Sequence, residues 1–163
     1  MGVIVAATDG SPAAQAALDA AVDLAREGGD RLAVITVWRA LQGDFGLAYP
    51  STALLEDLLE AERGHAEATL AEAAKRVAAA GVPVTTHLAT GDPAERICAL
   101  ARAVDARLIA LGTHGHGSVL SLLMGNVSAA VLRKAHRPVL VVPDPAASDE
   151  AGRSRLALVR RAG

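Results

Sequence analysis

Aromatic side chains are nearly absent: the 163-residue chain holds one Trp, one Tyr and one Phe. Nucleic-acid modules that stack bases need several rings on one face, so that class is disfavoured, and any core must be aliphatic. Cysteine is equally scarce. Cys98 stands alone, which excludes an internal disulfide and a cysteine-built zinc cluster, and beside Ile97 and Leu100 it reads as a small buried apolar residue. There is no strong charge of one sign either. A formal net charge of −2 gives no general pull toward nucleic acid or an anionic membrane. No apolar run is long enough for a bilayer and no basic region precedes the first one, so a cytoplasmic chain with no membrane partner is expected. Catalytic signatures are missing too: there is no Gly-x-Ser-x-Gly elbow, no base for Cys98 and no paired carboxylates beside the loop discussed below. A dedicated enzyme is not expected, and only slow turnover of a ligand held by that loop stays open.

What the chain does have is a regular alternation of elements. Short apolar runs at residues 3–8, 32–38, 82–90, 107–111 and 138–142 suit strands, the first unbroken and therefore buried on both faces, the third more polar and suited to an outer position. Between them lie helical segments. Ser11-Pro12 opens the first and Gly28-Gly29 stops it; the second runs from Ser51 to Ala80 with Gly64 as a place to bend; Asp92-Pro93 opens the third; the fourth covers residues 127–135. Strand and helix in turn imply a parallel sheet with helices on both faces and right-handed crossovers. The loop at residues 39–50 holds Phe45 and Tyr49 and serves either to cover a ligand or to pack on its own domain. After Pro143 the composition changes to a linker, and Arg153, Arg155, Arg160 and Arg161 surround Leu156, Leu158 and Val159. That division gives one domain at 1–143 and a flexible basic tail at 144–163.

One stretch, residues 112–128, concentrates chemistry. Gly112, Gly115 and Gly117 leave amides uncovered and allow positive φ, so successive N–H groups can converge on an anion. Gly125 then precedes Asn126 and a helix whose N-terminus faces the same place. The amides of Gly112, Thr113, Gly115, His116, Gly117 and Ser118, and those of Gly125, Asn126, Val127 and Ser128, are the expected phosphate donors. The Walker loop is absent, for no Gly-Lys-Ser or Gly-Lys-Thr occurs, and G-x-G-x-x-G does not fit. His114 and His116 make too thin a ligand set for a structural metal, and partial positive charge near phosphates is the better use for them. Asp9, in Asp-Gly-Ser-Pro, is either a turn residue or a ligand contact.

The pattern that does fit is Gly112, two residues, Gly115, nine residues, Gly125. With the strand Val139-Leu140-Val141-Val142 after it, the chain from Gly2 to Pro143 resembles the universal stress protein family, of the ATP-binding kind. The resemblance implies a Rossmann-like five-stranded parallel sheet in the order 3-2-1-4-5, of the adenine nucleotide alpha hydrolase-like type. It implies ATP as a sensed or structural ligand, with magnesium arriving on its phosphates, and an adenosine pocket at Ala7, Asp9, Val37 and Leu111. Asn126 departs from the family, which carries Ser or Thr there; its amide can still donate, and it also suits a helix cap. Subunit pairing through the last strand, a homodimer, is implied as well, since Val139, Leu140, Val141 and Val142 would otherwise leave a bare edge. Two alternatives stand: a stress protein that acts through protein partners with no nucleotide, and a nucleotidyl-transferring enzyme, for which the chain has no room for a substrate domain.

Overall fold

The computed structural model describes residues 1–38, 51–113 and 125–145 and the backbone of 157–159. Their elements are β1 (Val3–Ala7), α1 (Pro12–Gly28), β2 (Arg31–Trp38), α2 (Thr52–Ala79), β3 (Val84–Thr90), α3 (Pro93–Ala103), β4 (Leu108–Gly112), α4 (Asn126–Lys134), β5 (Val139–Val142) and β6 (Ala157–Val159). The first five strands are parallel in the order β3-β2-β1-β4-β5, as the resemblance implied.

Local chemistry sets the boundaries. Ser11 caps α1 by accepting the Ala14 amide at 3.3 Å, Pro12 takes the first turn where its missing N–H costs nothing, and Gly29 ends the helix at φ 64°, a conformation that glycine adopts without strain. Asp92 caps α3 through the Glu95 amide at 2.9 Å, and Ser51 caps α2 in the same manner. Gly64 does not break α2, which runs as one helix from Thr52 to Ala79.

Because side chains alternate along a strand, the sheet divides the core in two. Ile4, Ala6, Leu32, Val34, Leu108 and Leu140 face α1 and α2; Val5, Ala33, Ile35, Ile109, Val139 and Val141 face α3 and α4. Each fully buried Val, Leu or Ile contributes on the order of 1.5–3 kcal/mol. Alanines dominate the buried stripe of α1, at positions 13, 14, 17, 21 and 25, which lets that helix lie close on the strands. Cys98 is buried against the second face, and its burial pushes the thiol above its ordinary pKa. At the foot of the sheet the buried Asp30 accepts the Gly2 amide at 2.6 Å and pairs with Arg107, tying the starts of β1, β2 and β4 together.

Two expectations change. The sheet has a sixth strand: β6, from the segment read as a mobile tail, lies antiparallel on β5 with Val139 opposite Val159, Leu140 opposite Leu158 and Val141 opposite Ala157. β5, expected as the outermost strand of the sheet, is therefore covered within the chain. The apolar Ala-Leu-Val triplet is short, and the arginines around it masked its strand character in the sequence. The second change concerns glycine conformation. Gly112 is not among the residues at positive φ, so it does not supply the left-handed geometry expected of it, while Gly125 stands before the helix as read, at the cap position.

Candidate functional site: the crevice between the first and fourth strands

In this strand order β1 and β4 are neighbours whose connections leave toward opposite faces, α1 on one and α4 on the other. Such a reversal makes the crevice beyond their carboxyl ends the place where ligands of open parallel sheets bind.

On the β1 side the chain turns through residues 8–11. Thr8 donates its amide to Ile35 at 2.9 Å while its hydroxyl accepts from the Gly10 amide at 3.2 Å. The Asp9 carboxylate accepts the Ser11 amide at 3.0 Å, and its side chain stays exposed at the mouth of the crevice. Asp9 is thus a turn-former by geometry.

On the β4 side Gly112 is needed for proximity. A Cβ placed on it would lie 2.6 Å from the Ala13 carbonyl carbon and 2.7 Å from the Ala14 nitrogen, so the strand end rests directly on the first turn of α1. The chain then bonds to its neighbour strand through the Thr113 amide and the Val142 carbonyl at 2.8 Å. It re-enters at Gly125, whose amide donates to the Thr113 carbonyl at 2.6 Å. Both ends of residues 114–124 are thereby pinned at one point.

Ser128 completes that clamp. Its hydroxyl is buried and donates to the Gly112 carbonyl at 2.7 Å, with the Thr113 carbonyl at 3.3 Å. The hydroxyl proton points inward and fixes α4 to β4. Asn126 is also not the cap that its type suggested: Gly125, which has no side chain to bond the helix start, holds the cap position, and Asn126 is the exposed first helical residue. The first bond within the helix is from the Ala129 amide to the Gly125 carbonyl at 3.0 Å. The amides of Asn126, Val127 and Ser128 precede the helical ladder, at the positive end of its dipole.

Of the expected site residues, Ala7, Asp9, Val37, Leu111, Gly112, Thr113, Gly125, Asn126, Val127 and Ser128 come to the carboxyl ends of β1, β2 and β4 and the start of α4. Leu111 is buried, while Ala7 and Val37 are partly open. Gly115, His116, Gly117, Ser118 and His114, together with the loop at 39–50, lie outside the described residues. Sequence reading missed the part played by Ala13 and Ala14, whose backbone forms the floor under Gly112. The only signal was the small-residue pair itself.

A cleft of about 470 Å³ opens beside the end of β2, lined by Trp38, Leu59, Glu60, Arg63, Gly64 and Glu67. No group of three metal-ligating side chains occurs among the described residues, and no helix there is long and apolar enough to cross a membrane.

A sequence profile of the universal stress protein family matches residues 1–143. A universal stress protein of Thermus aquaticus is 36% identical over 140 residues, covering 85% of this chain and 96% of the relative. Two solved structures are similar throughout. A universal stress protein in complex with cAMP superposes with a TM-score of 0.65 at 29% identity, over 88% of this chain and 97% of the other. One from Archaeoglobus fulgidus in complex with dAMP gives 0.60 at 28%, over 86% and 96%.

Proposed function

The chain belongs to the universal stress protein family, and from that premise we propose that it binds ATP at the crevice between β1 and β4, as a sensed or structural ligand in a stress response. The observation that carries the reading is the glycine-capped start of α4, held by Ser128 and Gly112 at the carboxyl end of β4. A helix start whose cap residue is glycine, at a sheet crevice, leaves its first amides for an anion. The adenine nucleotides named with two similar structures support the ligand class. Adenosine would lie over Ala7, Val37 and Leu111, with the exposed Asp9 carboxylate accepting from ribose hydroxyls or the adenine edge. The phosphates would take the amides that precede the α4 ladder and those of residues 112–118.

Magnesium fits only as a companion of the phosphates. Asp9 is a carboxylate at the crevice, one of its oxygens already accepts the Ser11 amide, and no preformed ligand cluster stands among the described residues, so phosphate oxygens and water would supply most of its shell. An ATP-responsive pocket operates where ATP is abundant, which supports a cytoplasmic location. A homodimer through β5 belongs to the same reading.

The test is to denature the purified protein, identify any nucleotide released, and titrate the stripped, refolded protein with ATP, ADP and AMP by calorimetry. Asn126→Asp is the control: an acid in the first turn suits the helix dipole, so the fold is kept while phosphate is repelled. ATP binding lost in this variant supports the site. No heat from any nucleotide with the folded wild type sinks the reading and leaves the partner-binding alternative, which the exposed Asn126 in place of a hydroxyl favours.

A further inference from the structure

Two strands want one edge. The dimer proposed above needs the outer edge of β5 from each copy, because a twofold axis sets the same strand against itself in antiparallel fashion. In this chain that edge already carries β6, paired antiparallel along Val139, Leu140 and Val141. Backbone donors and acceptors bonded to β6 are not open to a second copy, so the two pairings exclude each other.

We infer that β6 is a built-in plug of the dimer edge, and that the equilibrium between plugged monomer and open dimer sets the chain's oligomeric state; the inference rests on the dimer reading. Tethering favours the plug. A strand joined to the sheet by a short connection meets its edge at a millimolar effective concentration, whereas a second copy arrives at its bulk concentration. Length favours the dimer, since β6 has three residues and β5 four. The two pairings are therefore close competitors.

The plugged state is also protected against further growth. Its new outer strand is only three residues long and is flanked in sequence by Arg153, Arg155, Arg160 and Arg161. Short edge strands bounded by like charges make poor templates for another copy. A four-residue edge whose side chains are all buried and apolar is thus replaced by a shorter one flanked in sequence by arginines.

The experiment compares full-length wild type with the double variant Leu158→Pro, Val159→Pro by sedimentation equilibrium from micromolar to millimolar protein. Adjacent residues in a strand send their N–H groups to opposite sides, so one of the two prolines removes a donor aimed at β5 whatever the register. Hydrogen exchange of the Val139 to Val142 amides, read in the monomeric range, reports the edge directly. The expected result is a dimer constant at least about tenfold tighter in the variant, with faster β5 exchange in its monomer than in the wild-type monomer. Equal dimer constants overturn the plug and leave the dimer standing. No dimer from either chain overturns the dimer, and the competition with it.

Discussion

Gly112 lies so close to Ala13 that a single added carbon would stand 2.6 Å from the Ala13 carbonyl carbon. The obstacle is backbone at the capped start of a helix and cannot swing aside as a flexible side chain would. Gly112→Ala is therefore expected to destabilise the protein by about 3 kcal/mol, as overpacking against fixed atoms does. For a chain of this size that lowers Tm by roughly 10 °C, read by calorimetry. An unchanged Tm would show that α1 can retreat.

Ser128→Ala removes the donor to the Gly112 carbonyl and leaves that acceptor buried beside a methyl group. The expected loss is about 1–2 kcal/mol by urea denaturation. Nucleotide affinity should fall as well, because the clamp aligns α4 with β4. A variant that loses stability but binds ATP as before would mean that the clamp serves the fold alone.

Asn126→Ser restores the hydroxyl that the family carries at this point. The side chain is exposed at the first helical residue, so stability should change by less than about 0.5 kcal/mol. On the proposed nucleotide reading a hydroxyl there would meet the outer phosphates, so ATP should gain affinity relative to AMP, by about tenfold if one good hydrogen bond is added. Equal gains or none, in parallel titrations, would remove Asn126 from the phosphate site.

Asp30 makes stability depend on pH. Burial alone would raise its pKa, but the Gly2 amide bond and the Arg107 bond and charge outweigh that, and the carboxyl is held below its ordinary value. A lowered folded-state pKa adds stability that is present above the unfolded carboxylate pKa and is lost as pH falls through the folded value. Asp30→Asn should cost about 2 kcal/mol at neutral pH and progressively less in acid, flattening the low-pH limb of the stability curve. A variant curve parallel to wild type from pH 7 to pH 2 contradicts this.

Thr36 is the reverse case. Its hydroxyl, on a buried residue of β2, has no hydrogen-bond partner among the described residues. Val has the same branched shape without the polar atom, so Thr36→Val should stabilise by about 1 kcal/mol, seen as a higher urea midpoint at unchanged slope. A drop in stability would mean that the hydroxyl is bonded in solution.

How far the residues alone disclosed this structure depends on the kind of interaction. The unbroken run at β1 and the Ser11-Pro12 and Asp92-Pro93 starts were legible because strand burial and helix capping are local in sequence. The Gly112 contact with Ala13 was not, since only the fold brings two such distant residues within touching range; glycine was correctly singled out, but for torsional freedom rather than for space. Ser128 failed in the same manner, its partner being a carbonyl sixteen positions away. β6 was hidden because three apolar residues among arginines carry too little periodicity to distinguish a strand from a tail.

Trp38 is the only tryptophan in the chain. It ends β2, follows the residue proposed to lie against adenine, and lines the cleft with Arg63 and Glu67. All indole emission from this protein therefore originates beside the proposed adenosine site, at one wall of this cleft. Ligand occupancy, quencher access and local unfolding there can be followed in unlabelled protein through the lifetime and anisotropy of a single native fluorophore.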